Sequence, residues 1–228
     1  MAGAYQDTVI SMDQPLREPK KDAVESVTFV PDIFEGAFPG ASKEQKKQQA
    51  QYLNYMVNVR NVPVNHAVGI LANIYRESSF DPSSKSKGES SYGLLQWNDS
   101  EEFGPRGQRM KDFVGEDWET NWKKQLDYAI VEVQLLDEGV DKEGNKIYGE
   151  GERFHDMYLG SKKISGENAA YLASDWLVDK NIGPGKAGSD EREYERTMRR
   201  GYISRLMSNA KGWKMRESKN AIFKSFLN

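Results

Sequence analysis

Apolar positions recur at helical spacing over much of the chain and break at segments rich in proline, glycine or small polar residues. Ser42 predicts an N-cap for a helix starting at Lys43, with Glu44 in its first turn, where negative charge suits the helix dipole. Tyr52, Leu53, Met56 and Val57 share one face, Val59 falls near it, and Asn61-Val62-Pro63 breaks the pattern. Asn65 predicts the cap of a second helix, striped by Val68, Leu71, Ile74 and Tyr75. Glu77 falls on its last turn, and Asp81-Pro82 ends it. Residues 83–91 have loop composition, and Tyr92-Gly93-Leu94-Leu95-Gln96-Trp97 reads as a strand or the start of a buried helix.

Gly104-Pro105 marks a turn before a short helix carrying Arg109, Met110 and Phe113. Trp122, Leu126, Ala129, Val133 and Leu136 alternate steps of four and three, predicting an amphipathic helix over 121–137. Glu138-Gly139 ends it, and residues 140–148 predict a surface hairpin or loop. Ser165 caps a further helix with Ala169, Leu172, Ala173, Trp176 and Leu177 on one face, followed by an irregular connection over 181–185. A charged helix follows over 190–208, with Tyr194, Met198, Tyr202 and Leu206 spaced four apart as its apolar stripe.

The flanks differ from this helical body. Residues 1–42 carry Pro15, Pro19, Pro31 and Pro39 without sustained periodicity, predicting an extended arm with a short strand over 27–30. Two readings of that arm stand, a floppy terminus or a segment docking on a partner protein; Phe29, Val30, Ile33, Phe34 and Phe38, more apolar than a linker requires, suit the second. Residues 209–228 form a basic tail with Trp213, Phe223 and Phe226 between its lysines. Its ordinary role is a solvated helix packed by its aromatics, and contact with an anionic membrane is the lesser alternative.

Composition narrows the function classes. With 37% hydrophobic residues and 25 aromatics (5 Trp, 11 Tyr, 9 Phe), the 228-residue chain can build a core. Its net charge of −3 argues against nucleic acid as main partner. The absence of cysteine excludes disulfides, zinc–thiolate sites and thiol nucleophiles. No secretory leader and no long apolar run are visible, so delivery outside a cell is expected by another route. His66 and His155 are the only histidines, and the first is expected in a capping or surface role. Neither a metal site nor a Ser-His system is supported, and Gly183, Gly185 and Gly188 lack the context of a phosphate loop; no cofactor is expected.

Glu77 is the candidate for chemistry. It ends a helix whose body must be buried, is followed by Ser78 and Ser79, and precedes a segment with Tyr92, Gln96 and Trp97. One partly desolvated acid, amide hydrogen-bonding groups and flat aromatic surface suit cleavage of a glycosidic bond. The leaving oxygen needs a proton, so the acid must stay protonated near neutrality, which an apolar wall achieves by disfavouring its ionised form. The charge developing on the sugar must be met by a second carboxylate, by activated water or by the substrate's own acetamido group. The opposing reading of Glu77 is a solvent-exposed glutamate at a helix end.

The residues GILANIYRESSFDP over 69–82, followed by SSYGLLQW over 90–97, resemble the phage tail lysozyme family of virion-associated peptidoglycan-degrading domains. They are similar, more distantly, to goose-type lysozymes and soluble lytic transglycosylases, in which a Glu-Ser pair precedes a Gly-Leu-Met-Gln stretch. The likeness continues through Arg109-Met110, Gln125-Leu126, Ala169-Ala170 and the helix of Arg192 and Arg196, over about residues 45–208. It implies an α+β, mainly α, lysozyme-like fold, with a small β-hairpin element beside the catalytic helix. Three segments are implied: an arm over 1–42, a catalytic domain over 43–208 and a tail over 209–228. Glu77 matches the family's catalytic acid, and Ser78, Tyr92, Gln96, Trp97 and Asn98 are the candidate substrate-binding residues. Glu89 is the first candidate for a second catalytic carboxylate, with Asp81, Asp99, Glu101 and Glu102 as alternatives.

The implied partners are peptidoglycan glycan strands and, through the arm, other phage tail or virion proteins. The implied setting is a virion assembled in the host cytoplasm and acting on the cell wall. A free endolysin, a lytic transglycosylase, and a non-catalytic virion protein keeping the fold are the alternatives.

Overall fold

The computed structural model describes residues 28–88, 90–100, 104–135, 139–140, 146–147, 170–171, 174–175 and 189–212. A 3-10 helix, Pro31–Phe34, leads into α1, Lys43–Asn54, which continues as a π-helical turn over Tyr55–Val59. α2 spans Val64–Ser78. Three short strands follow, β1 at Ser91–Tyr92, β2 at Trp97–Ser100 and β3 at Gly104–Pro105, forming one antiparallel sheet in that order. Next come α3, Arg106–Val114, α4, Trp122–Leu135, and a two-stranded ribbon of β4, Gly139–Val140, and β5, Lys146–Ile147. The last helix, α5, spans Asp190–Gly212. The class is therefore the expected one, α+β and mainly helical with a small antiparallel element.

Local chemistry explains the starts and stops. Ser42 and Gln45 form a reciprocal capping box, with the Ser42 hydroxyl accepting from the Gln45 N–H and the Gln45 side chain accepting from the Ser42 N–H. α2 opens one residue before the expected cap, behind Pro63, whose missing N–H costs nothing at that position. The helix is buried along almost its whole length, from Val64 to Tyr75 with the single exception of Asn65, and is the axis of the core. His66 lies within that burial rather than at the surface, and desolvation pushes its pKa down to about 4.

Around α2 sits a cluster of rings: Tyr75 stacks on Tyr202 at 5.2 Å, Phe38 lies 4.5 Å from Tyr75, and Tyr52 lies 4.8 Å from Trp122. α2 packs on α5 more extensively than any other two elements pack together.

Residues 28–42 are not extended. Phe29, Ile33, Phe34 and Ala37 are buried, and Asn54 binds both the N–H and the carbonyl of Phe29, at 2.9 and 2.8 Å. Instead of the strand expected over 27–30, residues 28–30 are non-regular and Pro31 turns the chain into the 3-10 helix; Val27 lies outside the described residues. From the other side α5 clamps this segment: Arg205 donates to the Ala37 carbonyl, and Asn209 to those of Ile33 and Glu35.

The apolar stripe expected on α5 is also displaced. Tyr194 is 58% exposed, and the buried face runs through Arg192, Glu195, Arg199, Tyr202, Ile203, Leu206 and Met207. A strict step of four drifts off a helix with 3.6 residues per turn, whereas steps of four and three hold one face. The helix also runs through residue 212, past the expected end at 208. Residues 213–228, which carry most of the expected basic tail, lie outside the described residues, as do Ala169, Leu172, Ala173, Trp176 and Leu177.

Candidate active site

The end of α2 is abrupt. Ser79 and Phe80 both take positive φ, 52° and 70°, a conformation costing non-glycine residues about 1 kcal/mol or more each. Ser79 is exposed, and burial holds Phe80 in place: its ring is fully enclosed by the aromatic cluster, and the Tyr52 hydroxyl donates to its carbonyl at 3.0 Å. Strain of this kind, forced immediately after Glu77, fixes where the last turn of α2 points. The Ser78 hydroxyl turns back to donate to the Ile74 carbonyl at 3.2 Å, so it is engaged within its own helix.

Glu77 meets α5. Its Oε1 accepts from Nη2 of Arg199, a guanidinium with no exposed surface, while the Glu77 side chain keeps 14% of its own. Arg199 also donates from Nε to Asn73 Oδ1 at 2.9 Å and from Nη1 to Glu195, both the side chain at 2.6 Å and the carbonyl at 3.2 Å. Glu195 in turn receives Arg76 at 2.9 and 2.5 Å, and Asn73 donates to Ser174. Desolvation raises the Glu77 pKa to about 7, the neighbouring Glu195 charge adds to the rise, and Arg199 and Arg76 oppose it without overcoming it. The acid is therefore substantially protonated at neutral pH, as a proton donor requires.

The segment 92–97 is neither a single strand nor a helix. Tyr92 pairs with Trp97 and Ser91 with Asn98, leaving Gly93, Leu94, Leu95 and Gln96 as the hairpin turn. Gly93 has φ +75°, and a Cβ there would come within 2.6 Å of Gln125 Oε1, so both space and conformation select glycine. Gln96, also at positive φ, donates from Nε2 to the carbonyls of Ser84 and Gly93, tying the turn to the segment leaving α2. Gln125 secures the other side, accepting from the Leu94 N–H and donating to the carbonyls of Pro82 and Trp118.

These contacts distinguish the candidate binding residues. Trp97 is fully buried, packs against Tyr128 at 5.4 Å, and presents no face on which a sugar could stack. Asn98 is half-buried and donates to the Ser91 hydroxyl. Tyr92 is half-buried with Lys111 Nζ 3.0 Å above its ring, and Trp118 meets it edge-on at 5.8 Å. Lys85 reaches Trp118 as well, 5.2 Å from the ring. Trp118 and Lys111, which also line a shallow depression with Asp112, Gly115 and Glu116, were not singled out from sequence. A half-buried aromatic among loop residues carries no periodic signal.

Among the alternatives for a second carboxylate, Asp81 is committed to Ser83 through two bonds, and Asp99 accepts from the Gln108 N–H at the start of α3. Gly107 permits that approach, since a Cβ would lie 2.6 Å from the Tyr92 ring and 3.0 Å from Asp99 Oδ1. Glu89, Glu101 and Glu102 lie outside the described residues. Among the described residues no cluster of His, Asp and Glu could hold a metal ion, and no helix is long and apolar enough to cross a membrane.

The family profile of phage tail lysozymes matches residues 47–179, more than half of the chain. The chain belongs to the phage tail lysozyme family. No curated protein and no solved structure matches it. Family membership gives the chain a lysozyme-like action on peptidoglycan, of the glycoside-hydrolase kind, and a phage origin. The matched span includes α2, Glu77 and the hairpin, and ends before α5, which supplies Arg199.

Proposed function

We propose that the protein cleaves the β-1,4 linkage between N-acetylmuramic acid and N-acetylglucosamine, with Glu77 as general acid. The observation carrying this reading is a carboxyl raised to about 7 by burial, with one oxygen fixed on Arg199 and part of the side chain exposed. Protonated Glu77 gives its proton to the bridging oxygen as the bond to the muramic acid anomeric carbon breaks. The positive charge left on the ring is met by a second carboxylate, for which Glu89 is the first candidate, or by the substrate's acetamido group. Water then completes hydrolysis and returns a proton to Glu77. Without a second carboxylate, the muramic acid 6-hydroxyl closes an anhydro ring and the path is that of a lytic transglycosylase.

In this reading the protein is a component of the virion, at the tail or inside it, assembled in the host cytoplasm and opening the wall for penetration. The N-terminal arm over 1–42 serves as its attachment to neighbouring virion proteins, through the residues that precede the packed segment 28–42. Mass spectrometry of fragments released from purified peptidoglycan tests the chemistry, with Glu77→Gln as control. Reducing-end muropeptides from the wild type alone identify a lysozyme, and anhydro-muropeptides a transglycosylase. Because the protonated acid is the active form, kcat/KM should be level below pH about 7 and fall tenfold per unit above it. A profile level through pH 7 and above would remove Glu77 from the donor role.

A second reading rests on the same ion pair. Buried charge networks also arise for purely structural reasons, and the pairing of Glu77 with Arg199 suits a brace in a non-catalytic virion protein that keeps the fold. Wall binding without any soluble product identifies that case.

A further inference from the structure

The contacts around Glu77 form a closed circuit. Arg76 and Glu77 are adjacent on α2, and each bonds to α5: Arg76 to Glu195, and Glu77 to Arg199. Glu195 and Arg199 lie one turn apart on α5 and are bonded to each other at 2.6 Å. The last turn of α2 is therefore gripped on both sides of the acid by two residues of one other helix. Asn73, one turn earlier on α2 and itself anchored to Ser174, holds the Arg199 Nε.

The guanidinium is planar, so fixing Nε on Asn73 and Nη1 on Glu195 fixes the direction in which Nη2 points. That direction is Glu77 Oε1. A fully buried arginine on the core-facing stripe of a helix is costly unless its donors are used. Asn73 and Glu195, whose charge is shared with Arg76, would already orient this one; the structure directs a further donor to the acid. The family profile matches residues 47–179 and so ends before α5.

We infer that Arg199, aimed by Asn73 and Glu195, is a positioning residue that orients the Glu77 carboxyl, and that the Arg199–Glu195 pair couples α5 to the proton donor. This rests on the reading of Glu77 as general acid. Among the described residues, the charged groups acting on Glu77 are Arg199 and Glu195 from α5 and Arg76 from α2 itself. Glu195 disfavours the ionised acid and Arg199 favours it, so removing one or the other should move the reaction's alkaline limit in opposite directions.

The test is the pH profile of kcat and kcat/KM for the full chain on purified peptidoglycan, with circular dichroism to confirm folding. Glu195→Gln should move the alkaline limb to lower pH by about one unit, and Arg199→Met should move it to higher pH by about one unit. Arg199→Met should also lower the plateau kcat about tenfold or more, because the acid loses its aim. Arg199→Lys keeps the charge without the fork, so its limb should stay near that of the wild type while the plateau kcat still falls. Activity that tracks only the folded fraction, with the limb unmoved in every variant, overturns the inference. If Arg199→Met does not fold, the isosteric Glu195→Gln decides alone: an unmoved limb in that folded variant is fatal. Failure of the underlying reading looks different, since Glu77→Gln would then retain activity.

Discussion

Two buried carboxylates in this molecule face an arginine, and they are built differently. Asp127 on α4 takes the Arg60 fork on both oxygens, Nε at 2.6 Å on Oδ1 and Nη2 on Oδ2, and receives the Tyr55 hydroxyl as well. Both of its oxygens are met by donors, and it in turn holds the Arg60 guanidinium above the usual arginine range. Glu77 receives one guanidinium nitrogen on one oxygen, and after that arginine the charge acting on it most strongly is another glutamate, Glu195. Burial therefore makes Asp127 a pin between the π-helical turn and α4, whereas it leaves Glu77 able to keep its proton. The number of donors around each carboxyl, more than burial, separates the two.

The sharpest way to break this contrast is to neutralise each acid in turn. Glu77→Gln should lower the rate of fragment release about a thousandfold, the scale of a lost general acid, without lowering the melting temperature at pH 8. The same assay on Asp127→Asn should show activity within a few-fold of wild type; a comparable loss there would erase the distinction.

A second effect concerns pH and stability. The folded Glu77 pKa of about 7 lies above its ordinary 4.5, so its contribution is fully present below 4.5 and lost as pH rises to 7. His66, near the other end of α2, has a folded pKa of about 4, below its ordinary 6.5; its contribution is present above 6.5 and lost as pH falls toward 4. Each amounts to about 3 kcal/mol, and the two offset each other across the shared window. Denaturant unfolding of the wild type should be nearly level from pH 4.5 to 6.5 as far as these two groups go. Relative to it, Glu77→Gln should gain stability with rising pH, and His66→Gln should lose it. Parallel slopes in the two variants would contradict the assignment.

The smallest effect is the pin itself. Asp127→Asn should cost about 2 kcal/mol, reduced from the fully buried case because Arg60 is partly exposed, and should appear as a lower denaturation midpoint. No change would make Asp127 dispensable and weaken the comparison from its structural side.

Sequence carried the parts of the molecule where a hydrophobic pattern and the fold say the same thing. The Ser42 cap, the stripe of α2 and the alternation of α4 were legible because apolar residues at helical spacing have few other uses. Glu77 was legible as the last turn of a buried helix. α5 was legible as a helix, but its buried face was not, because that face is polar where it meets Glu77; a reading that follows hydrophobicity passes over Glu195 and Arg199 and selects Tyr194. Trp97 was misplaced because a large aromatic beside a turn reads equally as core or as platform. Leu94 and Leu95 read as strand or as the start of a buried helix, yet both are buried in a turn whose shape depends on Gly93 and on Gln125, thirty-two residues beyond that glycine. Arg199 lies farther still, 122 residues from its acid, beyond any local pattern.

α5 is also the last described part of the chain to leave the ribosome, and until it arrives much of the molecule is unfinished. The face of α2 that it covers, the 3-10 segment clamped by Arg205 and Asn209, and the orientation of Glu77 all wait on residues 190–212. A chain that stops before α5 carries every residue of the hairpin and of α2 but lacks the helix that covers α2 and meets Glu77. Synthesis thus acts as a timer: fragments cut short before α5 are left with that face of the core open.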